Sequence, residues 1–500
     1  MNKTVKALAL MLVLALGLTI LGGCAAADEL TLLNALCKQP DINSCQSKTE
    51  LVINLSAEGL SDADKSSFNE IAILLNGMKV SADQKISRNS EKTISKSQAD
   101  ISVNMGGMST SVSVWSDTDL TGNYPKVKQI IKVPPILSMY LPDKQRNKEY
   151  LVLDTSELLP EADSAELGIS TKEMLQFSKD LTPKLIGFIK DFAKEFNPGF
   201  SIVSRKESKI VDNQSVTIYN LKLDDATFKK FLAYTVKTFA GSEQTINFIN
   251  DLAVAFIDVS DQPYKEKLKA KGELSKYIED YKKELPEFLK SWDTITTILK
   301  DVRILGDKGI NIDYGINSDG FIVSESGTLD FVINSKEFMD AEENYKAQTI
   351  KDYKKKVNKD EGTIKFGITF STAYSNINKD IDISCPKTTP ENSFDIKDMS
   401  FINNPEIDQD TPGQYQPDNT PPAAPSVNKV LRTSKTVTGK TEEYAIITIK
   451  NGKTIIGQGM ANEKGVFTIQ ITPVKTQCTL TITAADIYGN ESKATTVKVK

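Results

Sequence analysis

The sequence predicts an α+β protein: a large antiparallel sheet with helices against one side, followed by a small all-β sandwich. Three observations predict it. Residues 47–154 and 310–384 alternate apolar with polar or small side chains, as antiparallel strands with one polar face do. Between these groups, residues 170–300 repeat leucine and phenylalanine at helical spacing. After a stretch holding six of the chain's 19 prolines, residues 426–500 return to short strands at regular intervals.

In chain order, Leu30, Leu32, Leu33 and Leu36 mark a helix ahead of Cys37. Leu51, Ile53 and Leu55 then share one face of a strand over residues 49–57. Ser61-Asp-Ala-Asp64 before Phe68-Asn-Glu-Ile71 reads as a capping-box variant opening a short helix. Strands follow over 78–87, 93–105, 109–116, 127–133 and 150–153, with Gly106-Gly107 as a hairpin turn.

Leu175, Leu181, Leu185, Phe188, Ile189 and Phe192 predict a helix over 170–197, stopped by Asn197-Pro198-Gly199. A hairpin is expected from 201–211 and 215–223 around Asp212-Asn213-Gln214. Asp224-Asp225 caps the next helix, Gly241-Ser242 breaks it, and residues 246–256 continue as another. Residues 265–299 read as helical with a break near Pro286. Strands over 310–317, 321–334, 362–372 and 381–384 complete the region, the first pair joined by Ser318-Asp319-Gly320. Residues 401–425 are a proline-rich linker, on the order of 60 Å long at about 3 Å per residue.

The first 24 residues carry the clearest single signal. Lys3 and Lys6 precede an apolar run, residues 7–21, too short for a comfortable membrane span. It ends in Leu21-Gly22-Gly23-Cys24, which resembles the lipobox of bacterial lipoproteins. The resemblance implies removal of residues 1–23, acylation of Cys24, and a tether over 24–30. Two or more acyl chains hold a protein stably on a bilayer. The expected location is the outer face of the cell membrane, with the membrane itself as the first partner.

Composition narrows the chemistry. The two leader lysines leave with the leader, so the formal charge moves from −5 to −7. Charges of both signs are interspersed and no basic patch stands out, which argues against a nucleic-acid partner. The chain has no histidine, which excludes Ser-His-Asp and Cys-His catalysis and the common histidine metal sites. Cys37 and Cys45 flank an expected turn at Gln39-Pro40-Asp41, and outside the membrane that spacing permits a disulfide. Cys385 and Cys478 read as lone, buried thiols. No C-x-x-C pair supports a thiolate metal site, and neither a metal nor a cofactor is expected.

Within 426–500, seven short strands are expected, with Asn451-Gly452 as a tight turn and Ile447, Ile449, Phe467, Ile469, Leu480, Ile482 and Ala484 pointing inward. The segments Pro425-Ser-Val, Val437-Thr-Gly439-Lys, Ile456-Gly457, Gly465-Val-Phe467 and Asp486-Ile-Tyr-Gly489-Asn490-Glu-Ser492 resemble the bacterial Ig-like domains of surface proteins. That resemblance implies a spacer or contact module, with Asp486 holding a corner by side-chain hydrogen bonds.

Over 31–400, the order helix, meander, helices, meander, closing on Tyr374-Ser-Asn-Ile377-Asn378-Lys-Asp-Ile381-Asp-Ile383-Ser-Cys-Pro386, resembles the LolA/LppX-type half-barrel lipoproteins and related Gram-positive proteins. The resemblance implies a curved antiparallel half-barrel wrapped around helices, here with a helical insert at about 170–300. It also implies binding of lipid, acyl groups or an envelope partner, and transfers no ligand residue.

Other motifs are better explained without chemistry. Asp117-Thr-Asp119-Leu-Thr-Gly122 begins like a calcium loop, but Lys128 stands where a bidentate glutamate is needed. Asp380 and Asp382 share a face of a short expected strand, a weak carboxylate pair. Ser384-Cys-Pro-Lys387 and Ser426-Val-Asn-Lys429 lack the helix start and partner motifs of penicillin-binding enzymes. The aromatic helices of 170–300 are either core or the lining of a lipid cavity, and residues 133–142 either a lid or a buried crossover. The overall expectation is a non-enzymatic surface lipoprotein binding an apolar ligand or envelope partner. The alternative is a structural or adhesion protein contacting wall polymer or a surface protein through its Ig-like module.

Overall fold

A computed structural model describes residues 27–396 and 420–500, apart from 106–107, 123–124, 135–137, 139–140, 156–170, 212–213, 261–262, 356–361, 453, 463, 472–473, 475–476 and 487–489. The expected leader, Cys24, the turns expected at Gly106-Gly107 and Asp212-Asn213, and most of the expected linker lie outside the described residues.

The first half of the sheet is a meander: β1 (Ser44–Glu58), β2 (Lys79–Arg88), β3 (Ile94–Met105), β4 (Met108–Asp119), β5 (Lys126–Lys132) and β6 (Tyr150–Asp154). The second half comprises β7 (Val203–Val211), β8 (Gln214–Leu223), β9 (Leu305–Asn317), β10 (Ile322–Asn334) and β11 (Thr363–Ser375). The halves meet where β1 pairs antiparallel with β11, from Gln46 opposite Ser375 to Glu58 opposite Thr363. With β12 (Ser393–Asp395) the result is one 12-stranded open sheet, ordered β12-β6-β5-β4-β3-β2-β1-β11-β10-β9-β8-β7. Only β12 with β6 is parallel.

Seven helices of twelve residues or more accompany it among the described residues: α1 (Ala27–Lys38), α2 (Asp62–Leu75), α3 (Thr171–Glu195), α4 (Asp225–Gly241), α5 (Glu243–Val259), α6 (Tyr264–Leu299) and α7 (Ser335–Thr349). Their starts follow capping chemistry. Ser61 accepts from the Asp64 N–H at 3.3 Å, Asp224 from Thr227 at 2.7 Å, Ser242 from Thr245 at 3.3 Å and Asn334 from Glu337 at 2.9 Å.

Three sequence expectations are corrected and one helix is added. The stretch expected as a tether, 24–30, is helical from Ala27, and that helix's first turn is anchored: Glu29, 3% exposed, accepts from Ile202 N–H and Ser201 Oγ at 2.9 and 2.8 Å. Helix α6 runs unbroken through Pro286, docked on one side by Tyr281 Oη donating to the Ala240 carbonyl (2.9 Å). On the other side, Trp292 Nε1 donates to Ala233 (3.3 Å). Pro286 itself is exposed, so water can serve the carbonyl it leaves unpaired. Helix α7 was not expected. Residues 381–384 form no strand but belong to a strap that leaves β11 and reaches the far edge at β12.

The strap crosses the polar face of the sheet. Asn378, with φ 55°, accepts from Asn43 N–H through Oδ1 (2.7 Å), and its own N–H donates to the Ser44 carbonyl (2.8 Å). Ile377 packs with Val216, Ile218 and Val323. Further on, the Asn392 carbonyl accepts from Glu149 and Tyr150 N–H (2.9 and 3.0 Å) before β12 covers the exposed edge of β6.

The main core lies on the opposite face. There α1, α3 and α4 bury Leu32, Leu33, Phe188, Phe192, Phe196 and Phe231 against Tyr219, Leu221, Leu223 and Ile310 of β8 and β9. Residues 426–500 form a separate sandwich of β13 (Ser426–Val427), β14 (Thr436–Lys440) and β17 (Val466–Gln470) facing β16 (Thr454–Met460), β15 (Ile446–Asn451), β18 (Thr479–Ala485) and β19 (Thr495–Lys498). Every inward residue named above is buried there. Gly439 is required because a Cβ would stand 2.1 Å from the Ser426 carbonyl oxygen.

Candidate functional site

Directly opposed residues of paired strands share a face, so the registers sort the side chains of the large sheet. Leu51, Ile53 and Leu55 of β1 stand opposite Phe370, Ile368 and Phe366 of β11. Phe370, Ile368 and Phe366 stand opposite Gly327, Leu329 and Phe331 of β10. Ile312 and Ile310 of β9 continue the row under the helices. On the other side, Val80 opposes Leu51, Val103 opposes Val80, and Ile101 lies two residues along β3.

This apolar face is covered unevenly. Tyr219, Leu221, Leu223 and Ile310 are fully buried, whereas Leu51, Ile53, Leu55, Phe366, Ile368 and Phe370 are only half-buried. Helix α2 packs on β1. Helix α3 reaches from the core toward the β2–β3 turn, where Lys179 pairs with Glu91 at 2.7 Å. That ion pair holds the Glu91 carboxyl below its usual range, through the lysine's hydrogen bond and then its charge. Nearby helices also leave Phe256, Leu268 and Phe288 exposed.

One end of the face is polar. Glu325 stands opposite Tyr314 on one side and Thr372 on the other, with Tyr374 two residues beyond. Thr372 Oγ1 lies 3.1 Å from Thr49 Oγ1. Burial pushes the Glu325 carboxyl up. Burial, and then the Glu325 charge, push the Tyr314 and Tyr374 phenols up to about 12.

The opposite face carries two adjoining concavities of ≈ 400 and ≈ 320 Å³ that share Thr328 and Thr369. Their lining mixes polar groups, including Glu50, Asn54, Asn311, Asp313, Ser326, Asp330 and Ser371, with apolar surface from Val52, Leu55, Leu329, Ile368 and Phe370. Part of it is already satisfied: Lys206 pairs with Asp313 at 2.7 Å, and Asn220 Nδ2 donates to Asp313 and Asn311 at 2.7 Å each.

The other singled-out residues form no site. Cys37 and Cys45 are free thiols, not a disulfide. They face different neighbours: Lys190 lies near Cys37, while Arg88 and Tyr374 lie near Cys45. Burial pushes both thiols up, away from the reactive range. Cys385 is exposed rather than buried, and Cys478 is half-buried. Asp117 pairs with Lys96 (3.8 Å), and Asp119 accepts from Thr121 N–H and Oγ1 (2.8 and 2.6 Å), making a turn rather than a calcium loop. Asp380 and Asp382 lie in the strap, where Ser384 Oγ approaches Asp382 at 3.4 Å. Ser384 is likewise in the strap and Ser426 starts β13, so neither Ser-x-x-Lys stands at a helix start. Of the 133–142 segment, residues 135–137 and 139–140 lie outside the described residues, while Pro134 and Leu141 are buried. Among the described residues no group of three or more Cys, Asp or Glu is placed to hold a metal. None of their helices is long and apolar enough to cross a membrane.

The folds define a mixed α/β domain with a large antiparallel sheet, joined in sequence to a β-sandwich. Residues 421–500 match the family described as the bacterial Ig domain, and this module is an Ig-like domain of that kind. Asp486 holds its corner, with Oδ1 accepting from Asn490 N–H (2.8 Å) and Oδ2 from Asn490 Nδ2 (2.7 Å). No curated protein matches the chain. A solved structure called "Structure of Protease" aligns at 13% identity and a TM-score of 0.14, over 16% of this chain and 18% of that one. So slight a likeness carries no argument.

Proposed function

We propose that this chain is a non-enzymatic surface lipoprotein, anchored through Cys24, whose large domain is a LolA/LppX-like half-barrel that takes an apolar ligand, a lipid or acyl group. The carrying observation is the half-buried ladder Leu51, Ile53, Leu55, Phe366, Ile368 and Phe370, beside a stretch of the same face that helices bury completely. Half-buried apolar surface on this scale is costly to leave against water, at about 25 cal/mol per Å². A tail laid along it would recover that energy, as apolar lining does in ligand clefts generally. The Ig-like module extends outward as a spacer or contact module. A second reading, contact with a hydrophilic wall polymer, draws on the polar side chains, among them Glu50, Asn54 and Asp330, that line the concavities of the opposite face.

Native mass spectrometry with lipid extraction on the chain from Ala25 onward tests the first reading. The expected result is a reproducible apolar adduct, or stoichiometric uptake of a fluorescent fatty acyl probe. A clean apo mass with no uptake would overturn it in favour of the contact role.

A further inference from the structure

We propose that Glu325 is the head-group anchor of the apolar face, selecting a long-chain amphiphile with a cationic amine head. The inference rests on the acyl-binding reading above and adds the chemistry of the ligand's polar end.

The geometry comes from strand register. Glu325 shares its face with Leu329 and Phe331 of its own strand and stands opposite Tyr314 and Thr372. Tyr314 packs against the helix-covered core, so Glu325 points to the helix side and not to the polar outer face. At this polar end of the face Glu325 is the charged group in a row of neutral side chains, Thr49, Thr372 and Tyr314. Among the described residues, no hydrogen bond or ion pair reaches it, and burial is the one influence that moves its titration. Acids elsewhere in the sheet are served: Glu50 by Lys79 at 3.0 Å, Glu58 by Lys365 at 2.8 Å and Asp313 by Lys206 at 2.7 Å. Leaving one acid unserved on an apolar face destabilises the domain unless a ligand supplies the missing partner.

The sign of the head group follows. An ammonium provides the counter-charge and charge-assisted hydrogen bonds, roughly twice as strong as neutral ones. A hydroxyl offers one neutral bond. A carboxylate sets a second negative charge beside Glu325. The polar cluster lies at the end of the face where β11 finishes, and the apolar rows run from it toward Leu55 and Phe366. An amphiphile held there would lie with its tail along β1, β10 and β11.

The test uses three probes with one tail: hexadecylamine, hexadecan-1-ol and hexadecanoic acid, titrated against the chain from Ala25 onward and its Glu325→Gln variant. The expected result is hexadecylamine binding about tenfold or more tighter than either other probe to the native chain. In Glu325→Gln that preference disappears while hexadecan-1-ol affinity stays within about twofold, which also reports that the face is intact. Equal affinity for all three probes, or an unchanged amine preference in Glu325→Gln, overturns the anchor and leaves acyl binding standing. Failure of all three to bind overturns the acyl-binding reading and the anchor with it.

Discussion

Two carboxylates show how placement sets the behaviour of one residue type. Asp225 opens α4; burial disfavours its charge, but a Lys229 ion pair at 2.6 Å and the N–H groups of Ile304 and Leu305 (2.8 and 2.9 Å) outweigh it and hold its carboxyl low. Its stabilisation is therefore present above the unfolded value of about 3.9 and is lost as pH falls through the lower folded value. Glu325 has the opposite sign: burial raises its carboxyl, so folding carries no charge penalty below about pH 4.3 and loses stability as pH rises through the folded value. Urea melts across pH should therefore show Glu325→Gln stabilising the ligand-free domain at pH 8, with the gain fading toward pH 4. Asp225→Asn should destabilise it near neutrality, with the loss fading in acid. A pH-independent effect in either variant would contradict the assignment. Asp224 capping α4 and Asp486 at the sandwich corner were readable from sequence, because a side chain bonding its own local backbone depends only on near neighbours. Glu325 was not readable, since nothing local marks which face of β10 the helices cover.

Among the elements, long periodic helices and clean alternations were legible and interruptions were not. Pro286 illustrates the difference. Proline inside a helix costs about 3 kcal/mol, enough to end an isolated one. Here Tyr281 and Trp292 fasten α6 to α4 on both sides of it. Pro286→Ala should therefore stabilise the large domain by roughly 1–2 kcal/mol, part of the gain being offset by a freer unfolded chain. A lower urea midpoint in that variant would mean the proline is needed for the bend or packing of α6. Helix α7 is masked in the sequence although Asn334 and Glu337 supply a capping signal, because the preceding strand runs directly into it. The alternation at 381–384 looked like a strand, but its backbone finds no sheet edge there. Asn378 instead pins the strap to Asn43 and Ser44.

At the scale of the molecule, the two folded regions have separate cores: the sandwich cluster draws only on residues 427–499, while the large core draws on none of them. Calorimetry should accordingly resolve two transitions, one of which residues 420–500 reproduce alone. A single transition, or an unfolded isolated sandwich, would show that the cores are coupled. The large domain closes by joining β1 to β11, strands more than 300 residues apart in sequence. Contacts of such separation pay loop-closure entropy before they return energy, so this pairing is expected to form late in folding.

By itself, the sequence determined most of the elements and several of their caps, the Ig-like module and the exclusion of histidine chemistry, because each depends on residue identity or on neighbours close along the chain. Only the tertiary structure decided that two meanders share one 12-stranded sheet, that a strap crosses its polar face, and that helices bury one part of the apolar face and leave another half-covered. It also decided that Cys37 and Cys45 stay apart and that Glu325 faces the apolar side. Those facts depend on which distant segments meet, and period-two and period-3.6 patterns say which face is apolar without saying what will cover it.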